Sequence, residues 1–404
     1  MSFERSILQA LQLMPKHRER ASKRAATLGL DDLIDEARER GELGAGALDL
    51  LLMGTRFRAR ALKALSVFLK GKPTKPRELE DLFVLCFASL LSRDRMPAPV
   101  QLNTFVETTA RTFGPHMKGL MNAWGRHVLR QQAEFESERE TSPTSWLPEV
   151  WLARWHKSPK LLDEAARRSF ARPEAGISAF DTSLKLERKP LADWQAAPPF
   201  QAMDPGSWKL LEWIDARLAD TRTENFLDIC AAPGGKFIAL SMLRKKHGLK
   251  KSVATDAKFP RLERLKSNVQ TWANSLPEGI ETRVLVWGED ETPAEWKSET
   301  WDIVLADLPC SGSGTLHTRP DLLDKDPFER LESLMKIQKQ ILTSLRTLRI
   351  KDLFVSICSV DPEEIRFVSQ CLGSEPQFSS WGDGSPAHPM EGLTAWHLKN
   401  PTPC

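Results

Sequence analysis

A chain of 404 residues, 41% hydrophobic and 27% charged with a formal net charge of +3, has the size of two or three globular domains and a composition that excludes disordered and fibrous classes. Its longest apolar run, Leu82–Leu91, is too short for a bilayer, which needs about 20 residues, and the charged opening MSFERSILQALQLMPKHRER lacks the apolar stretch of a signal peptide. Six cysteines without a CxxC pair argue against a disulfide scaffold or a zinc site, so the expectation is a cytoplasmic, monomeric protein with no membrane span and no metal.

Residues 1–140 are predicted to form an all-α domain. Ile7, Leu11 and Met14 recur at helical spacing, as do Leu48, Leu51 and Leu52, then Phe57, Ala61, Ala64, Leu65 and Phe68. Glycine and proline mark breaks at 41–46, 71–76, 96–99 and 114–115. The region is also basic: the first 130 residues hold 22 Lys and Arg against 14 Asp and Glu. Thr55–Arg77 carries Arg56, Arg58, Arg60, Lys63, Lys70, Lys72, Lys75 and Arg77 with no acid between them. A polyanion would gain from such a patch through counterion release; a solvated helix face is the alternative. Residues 141–200, punctuated by Pro143, Pro148, Pro159, Pro173, Pro190, Pro198 and Pro199, read as a connector with one helix near 159–168.

From residue 201 short apolar strands alternate with amphipathic helices. Strands are predicted at 225–229, 252–255, 282–286, 302–306 and 353–357, with helices at 236–247, 258–274, 327–348 and 362–372. This alternation specifies a mostly parallel sheet with helices on both faces, whose ligands bind at the carboxyl ends of the strands.

The first strand runs into Cys230-Ala231-Ala232-Pro233-Gly234-Gly235-Lys236 and then a helix. Small residues there let the backbone turn tightly and approach a ligand, and the helix N-terminus offers free N–H groups. A phosphate loop fails at two positions, Cys230 and Phe237, and the dinucleotide pattern GxGxxG is absent. What remains is a loop for a nucleoside-bearing ligand without a triphosphate. Asp256, ending the second strand, is placed to take ribose hydroxyls. The fourth strand ends in Asp307-Leu308-Pro309-Cys310-Ser311-Gly312-Ser313-Gly314, and the fifth in Cys358-Ser359-Val360-Asp361-Pro362-Glu363-Glu364. A lone cysteine is usually a small core hydrophobe, and Cys86 and Cys371 are read so. Cys310 lies in a Gly/Ser loop, and Cys358 precedes a helix N-terminus, which lowers a thiol pKa. Two thiols and a carboxylate beside a nucleoside site suggest covalent attack on an electrophilic base.

CAAPGGK, then Asp256 with Arg261 and Asn268 in the following helix, DLPCSGSG with RPD, and ICSVDPEE resemble, in order and spacing, the Sun-type, RsmB-like RNA cytosine-5 methyltransferases across about residues 200–404. The helical part resembles their NusB-like RNA-binding domain, through its helix pattern, its basicity and the stretch KGLMNAWGRHVLR. The resemblance implies a helical domain over 1–140, a linker and reduced RNA-binding subdomain over 141–200, and a Rossmann-like methyltransferase domain over 201–404. It implies S-adenosylmethionine as cofactor, cradled by Cys230, Ala231, Ala232, Pro233, Gly234, Gly235 and Lys236, with Asp256 on the ribose, Arg261 nearby, and Glu289 or alternatively Asp290 near the adenine. Asp307 would lie between cofactor and base, protonated or sharing a proton, to hydrogen-bond ring nitrogen 3. Cys358 would be the nucleophile and Cys310 the group that assists release. The implied partner is RNA, foremost small-subunit ribosomal RNA, with Arg56, Arg58, Arg60 and Lys63 as candidate contacts. A transfer RNA methyltransferase and a non-catalytic ribosome-assembly factor are the alternatives. Departures from the family pattern include Ile357 for Thr before the nucleophile, and the segment Glu391-Gly392-Leu393-Thr394, a loose match to the final motif.

Overall fold

The computed structural model describes residues 2–22, 33–34, 36–37, 40–92, 96–170, 176–180, 185–190, 201–219, 221–323, 328–381 and 390–401. It divides into two compact units, Met1–Arg172 with Leu316–Asp326, and Pro173–Thr315 with Pro327–Cys404.

The described residues of the first unit form helices α1 (Phe3–Ser22), α2 (Ala45–Phe68), α3 (Arg77–Ser92), α4 (Ala98–Phe113), α5 (Lys118–Arg130), α6 (Gln132–Thr141), α7 (Glu149–Trp155) and α8 (Pro159–Phe170). The run Leu82–Leu91 is buried on every side of α3, which makes it the central helix. Trp124 packs on it, its ring 6.2 Å from that of Phe87. The unit does not end near residue 140. The proline-rich stretch beyond contributes Trp146, Trp151, Trp155 and Phe170, all buried, with Trp146 against Phe57 at 5.3 Å and Phe170 at 5.7 Å. Four large apolar side chains hold the segment to the core more strongly than its prolines loosen it.

The arginines of the basic stretch are not a polyanion-facing stripe. Arg56 is buried and donates from Nη2 to the His317 carbonyl at 2.6 Å. Arg58, also buried, bridges Asp81 at 2.9 Å and Glu80 at 3.2 Å. Arg60 pairs with Glu138 at 2.7 Å and lies over the Phe135 ring, 4.7 Å from its centroid. Their counter-charges sit on other helices, which a local count of charges does not register. Lys63 is exposed, as are Lys70, Lys72, Lys75 and Arg77 past the end of α2.

In the second unit β1 (Gly176–Phe180) pairs antiparallel with β2 (Leu186–Pro190) and β3 (Gln201–Ala202) in a small sheet. The large sheet has the order β6-β5-β4-β7-β8-β10-β9. Its parallel strands are β4 (Asn225–Ile229), β5 (Lys251–Asp256), β6 (Gly279–Val284), β7 (Thr300–Asp307) and β8 (Arg349–Ile357). These are the five predicted strands, with β6 beginning and ending earlier than its residues suggested. Two short strands, β9 (Phe378–Ser379) and β10 (Thr394–Lys399), were not predicted; β10 runs antiparallel to β8. The helices are α9 (Pro205–Leu218), α10 (Gly235–Lys245), α11 (Phe259–Thr271), α12 (Ala294–Ser298), α13 (Leu331–Leu345) and α14 (Pro362–Leu372). Along β7, Ile303 and Leu305 join the core under α9, α10 and α11, while Val304 and Ala306 join that under α12, α13 and α14. The period-2 alternation thus builds one core on each face. The strand order reverses between β4 and β7, the switch point at which such sheets open a crevice.

Arg58→Ala should destabilise the protein by about 1.5–3 kcal/mol, because it removes the charged 2.9 Å hydrogen bond to a buried carboxylate, Asp81. The triple change of Lys70, Lys72 and Lys75 to Ala should stay within roughly 0.5 kcal/mol. Chemical denaturation of both variants checks the contrast.

Candidate active site

Three neighbouring parallel strands deliver the site. Ile229 of β4 pairs with Ala306 of β7, and Asp307 with Ser356 of β8, so the loops after all three strands open at one end of the sheet. After β4 the chain turns through Cys230 (φ 60°) and Gly234 (φ 105°) before α10 begins. At Gly234 a side chain is barred twice: the backbone is left-handed, and a Cβ would lie 2.8 Å from Leu265. Helix α11 braces this loop from outside. Arg261 donates to the Ala232 carbonyl at 2.7 Å and Asn268 to that of Pro233 at 2.8 Å.

A cleft of about 230 Å³ is lined by Cys230–Pro233, Gly235, Lys236, Asp307 and Cys358 from the expected motifs. Asp228, Asp204, Ser207 and Glu391 line it too. Asp228 escaped notice because it stands inside an apolar strand. Glu391 comes from the loosely matched final segment. There a Cβ on Gly314 would run into the Gly392 carbonyl; the Glu391 backbone N–H donates to Asp204 Oδ1 at 2.7 Å, and its carboxylate accepts from the Ser207 hydroxyl at 2.9 Å. Asp256, Arg261 and Glu289 do not line this cleft. Asp256 is buried, accepting from the Lys258 amide at 3.0 Å and facing Arg261 at 3.4 Å. Glu289 and Asp290 are exposed, Asp290 closing its own turn onto the Val286 amide at 2.7 Å.

Asp307 is engaged at both oxygens: Oδ2 accepts from the Lys236 ammonium at 2.8 Å and Oδ1 from the Ser356 hydroxyl at 2.7 Å. Burial opposes the lysine's charge, but Asp307, with Cys358 and Glu391, outweighs it and drives the lysine pKa up. The helix N-terminus does not make Cys358 a ready thiolate. Its hydrogen bond to Cys310, then burial, then Asp307 hold it well above the ordinary thiol range, with Lys236 pulling the other way. Burial, then Asp256, push the Cys230 thiol up as well. Cys86 is fully buried in α3, and Cys371 lies in α14.

The cleft fits a cationic nucleoside ligand. Asp204, Asp228, Asp307 and Glu391 face a single lysine there, which disfavours phosphates. Both oxygens of buried Asp228 lack a hydrogen-bond partner, and burial, then Asp307, raise its pKa well above the carboxylate range. A buried polar group without a partner is costly, and a donor such as the α-ammonium of S-adenosylmethionine would relieve it.

Residues 216–380 match the model of the RsmB/F family of 16S rRNA methyltransferases. The chain is 30% identical over 312 residues to ribosomal RNA small subunit methyltransferase B of Erwinia tasmaniensis, covering 67% of this chain and 68% of that one. It is 28% identical over 358 residues to the protein of that name from Citrobacter koseri, 78% of each chain. The crystal structure of PH0851 has a similar fold over 99% of both chains, with a TM-score of 0.66 at 17% identity.

Since a thiolate is the alkylatable form, any group that holds Cys358 protonated pushes the onset of alkylation to higher pH. Cys310→Ala should move that onset down and Lys236→Met should move it up. Peptide mass spectrometry of iodoacetamide-treated protein across pH 6–10 reads both.

Proposed function

Because this chain belongs to the RsmB/F family of ribosomal RNA methyltransferases and is an S-adenosylmethionine-dependent RNA methyltransferase, we propose that it methylates carbon 5 of a cytosine in small-subunit ribosomal RNA through a covalent adduct with Cys358. The observation that carries this is the pair of thiols, Cys358 and Cys310, on the adjoining loops after β8 and β7, with Cys358 on the cleft that holds the Lys236–Asp307 pair.

Carbon 5 of cytosine is too poor a nucleophile to take a methyl group unaided. When bound, the cofactor supplies a methyl group made electrophilic by its sulfonium. Residues 230–236 and Asp228 hold it, with Asp256 toward the ribose and Glu289 or Asp290 toward the adenine. The Cys358 thiol gives its proton to Asp307 and its sulfur bonds to carbon 6; the displaced π pair makes carbon 5 enamine-like and able to attack. Negative charge builds on the ring, and ring nitrogen 3 takes that proton from Asp307, which Lys236 and Ser356 keep aligned. A base at Cys310 then removes the carbon 5 proton, the carbon 5–carbon 6 double bond re-forms, the carbon 6–sulfur pair returns to Cys358, and ring nitrogen 3 hands its proton back through Asp307 to the departing thiolate. None of this reaches a base inside a helical stack, so the target cytosine is unpaired or flipped out.

With Arg56, Arg58 and Arg60 engaged inside the helical unit, the exposed Lys63, Lys70, Lys72, Lys75 and Arg77 are its phosphate contacts on that stretch. Changing Lys70, Lys72 and Lys75 to Ala should flatten the salt dependence of RNA binding by roughly 0.7–0.9 in log–log slope for each phosphate left without its lysine. An unchanged slope leaves them as a solvated surface.

The two thiols fail differently because they act in sequence. Cys358→Ala should abolish both methylation and any covalent protein–RNA species. Cys310→Ala should form the adduct, methylate it and stall, leaving a denaturant-stable, methylated complex. Denaturing gels of each variant with RNA and labelled cofactor test this, and the reverse pattern would reverse the assignments. Bisulfite sequencing of RNA from cells with and without the gene identifies the nucleotide and separates ribosomal from transfer RNA.

A further inference from the structure

Glu364, in the first turn of α14, is fully buried and has no part in the chemistry above. An acid at this helix position ordinarily complements its own helix's N-terminal amides. Here Asp361 does that, accepting from the amides of Glu363 and Glu364. The Glu364 carboxylate reaches instead to the loop after β7. Its oxygens accept from the Ser311 amide at 3.2 and 3.3 Å, and Oε2 from the Ser311 hydroxyl at 2.7 Å. Oε1 also accepts from Gln338 Nε2 at 2.8 Å, and that same nitrogen donates to the Pro309 carbonyl at 2.9 Å. One carboxylate and one amide thus grip the residues on both sides of Cys310.

The grip extends to the other thiol. Ser359 Oγ lies 3.2 Å from Ser311 Oγ and 2.9 Å from Ser313 Oγ, the Val360 amide donates to Ser313 Oγ at 3.1 Å, and the Gly314 amide donates to the Cys358 carbonyl at 3.1 Å. The two cysteines are nonetheless held unequally. Cys358 follows directly on β8, which is paired on one side with β7 and on the other with β10. Cys310 stands three residues past β7, next to a loop that turns through Gly312 at φ 72°, and its path is set by the Glu364 clamp.

We propose that Glu364 is a positioning residue for the second half of the reaction, holding the Cys310 loop so that Cys310 can act on the adduct formed by Cys358. This rests on the sequential two-thiol reading above. Glu364→Gln keeps the size but sets an amide NH₂ among the donors of Ser311 and Gln338, so the Cys310 loop loosens while β8 keeps Cys358 in place. The first methyl transfer should stay within about threefold of wild type in a single turnover. Steady-state turnover should fall about tenfold or more, with a methylated, denaturant-stable protein–RNA complex accumulating. Calorimetric binding of S-adenosylhomocysteine should not change. Ser311→Ala, which deletes only the 2.7 Å hydroxyl bond, should show the same split in milder form, and it carries the comparison if the glutamine variant does not fold. Equal slowing of both phases, or slowed turnover with no accumulated complex, would overturn the proposal alone. A Cys358→Ala protein that still methylates RNA would overturn the two-thiol reading and the proposal with it.

Discussion

The parallel pairing of β7 with β8 brings Asp307 opposite Ser356 and lets each strand end in a loop that carries one thiol. Neighbouring strands lie about 4.8 Å apart, so residues a few positions past their ends can share hydrogen bonds although 48 positions separate Ser311 from Ser359 in the chain. The polar contacts that join the two thiol loops and the ion pair follow from that register. Ser356 orients Asp307, Asp307 orients Lys236, and Ser311, Ser313 and Ser359 join the two loops. A slip of one residue would turn Asp307 and Ser356 to opposite faces, and the cleft would lose its ion pair.

Charge then decides what the cleft accepts. Four carboxylates and one lysine line it, and the lysine is already committed to Asp307. The remaining acids make the cleft a poor host for phosphate and a good one for a ligand bearing ammonium and sulfonium charge. Until such a ligand and a base arrive, the same acids keep the thiols quiet. Cys310, then burial, then Asp307 push the Cys358 thiol well above its ordinary range. A resting site of this kind limits stray alkylation and oxidation of Cys358, because the thiolate is the reactive species.

The helical unit uses arginine as internal framework. Arg58 neutralises a fully buried aspartate, Arg60 joins α2 to α6 while stacking on Phe135, and Arg56 holds the His317 carbonyl. A planar guanidinium with five donors suits such work better than an ammonium. The lysines, each a strongly hydrated point charge, are left outside at the end of α2 and in the turn that follows. The basic stretch therefore separates into an engaged part, Arg56, Arg58 and Arg60, and a solvent-facing part, the lysines and Arg77.

How much of this was legible in the sequence depends on the range of the signal. The five parallel strands, the helices between them, the CAAPGGK turn and the strand-end positions of Asp307, Cys310 and Cys358 are all carried by neighbouring residues. Hydrophobic period, small residues at a turn and a helix N-cap need no knowledge of distant partners. The roles of Asp204, Asp228 and Glu391 in the cleft were not legible. Asp204 and Glu391 are 187 positions apart, and nothing local distinguishes a cleft carboxylate from a helix cap or a strand residue. Nor did the charge run reveal that Arg58 and Arg60 meet acids 23 and 78 positions away, or that β10 completes the sheet antiparallel to β8. The sequence by itself determined which elements form and which strand ends carry reactive groups, because those depend on contacts within a few residues. Only the tertiary structure decided which charges are neutralised, which proton is available and which loops are tied together, because each of those depends on a partner that folding alone brings within hydrogen-bond distance.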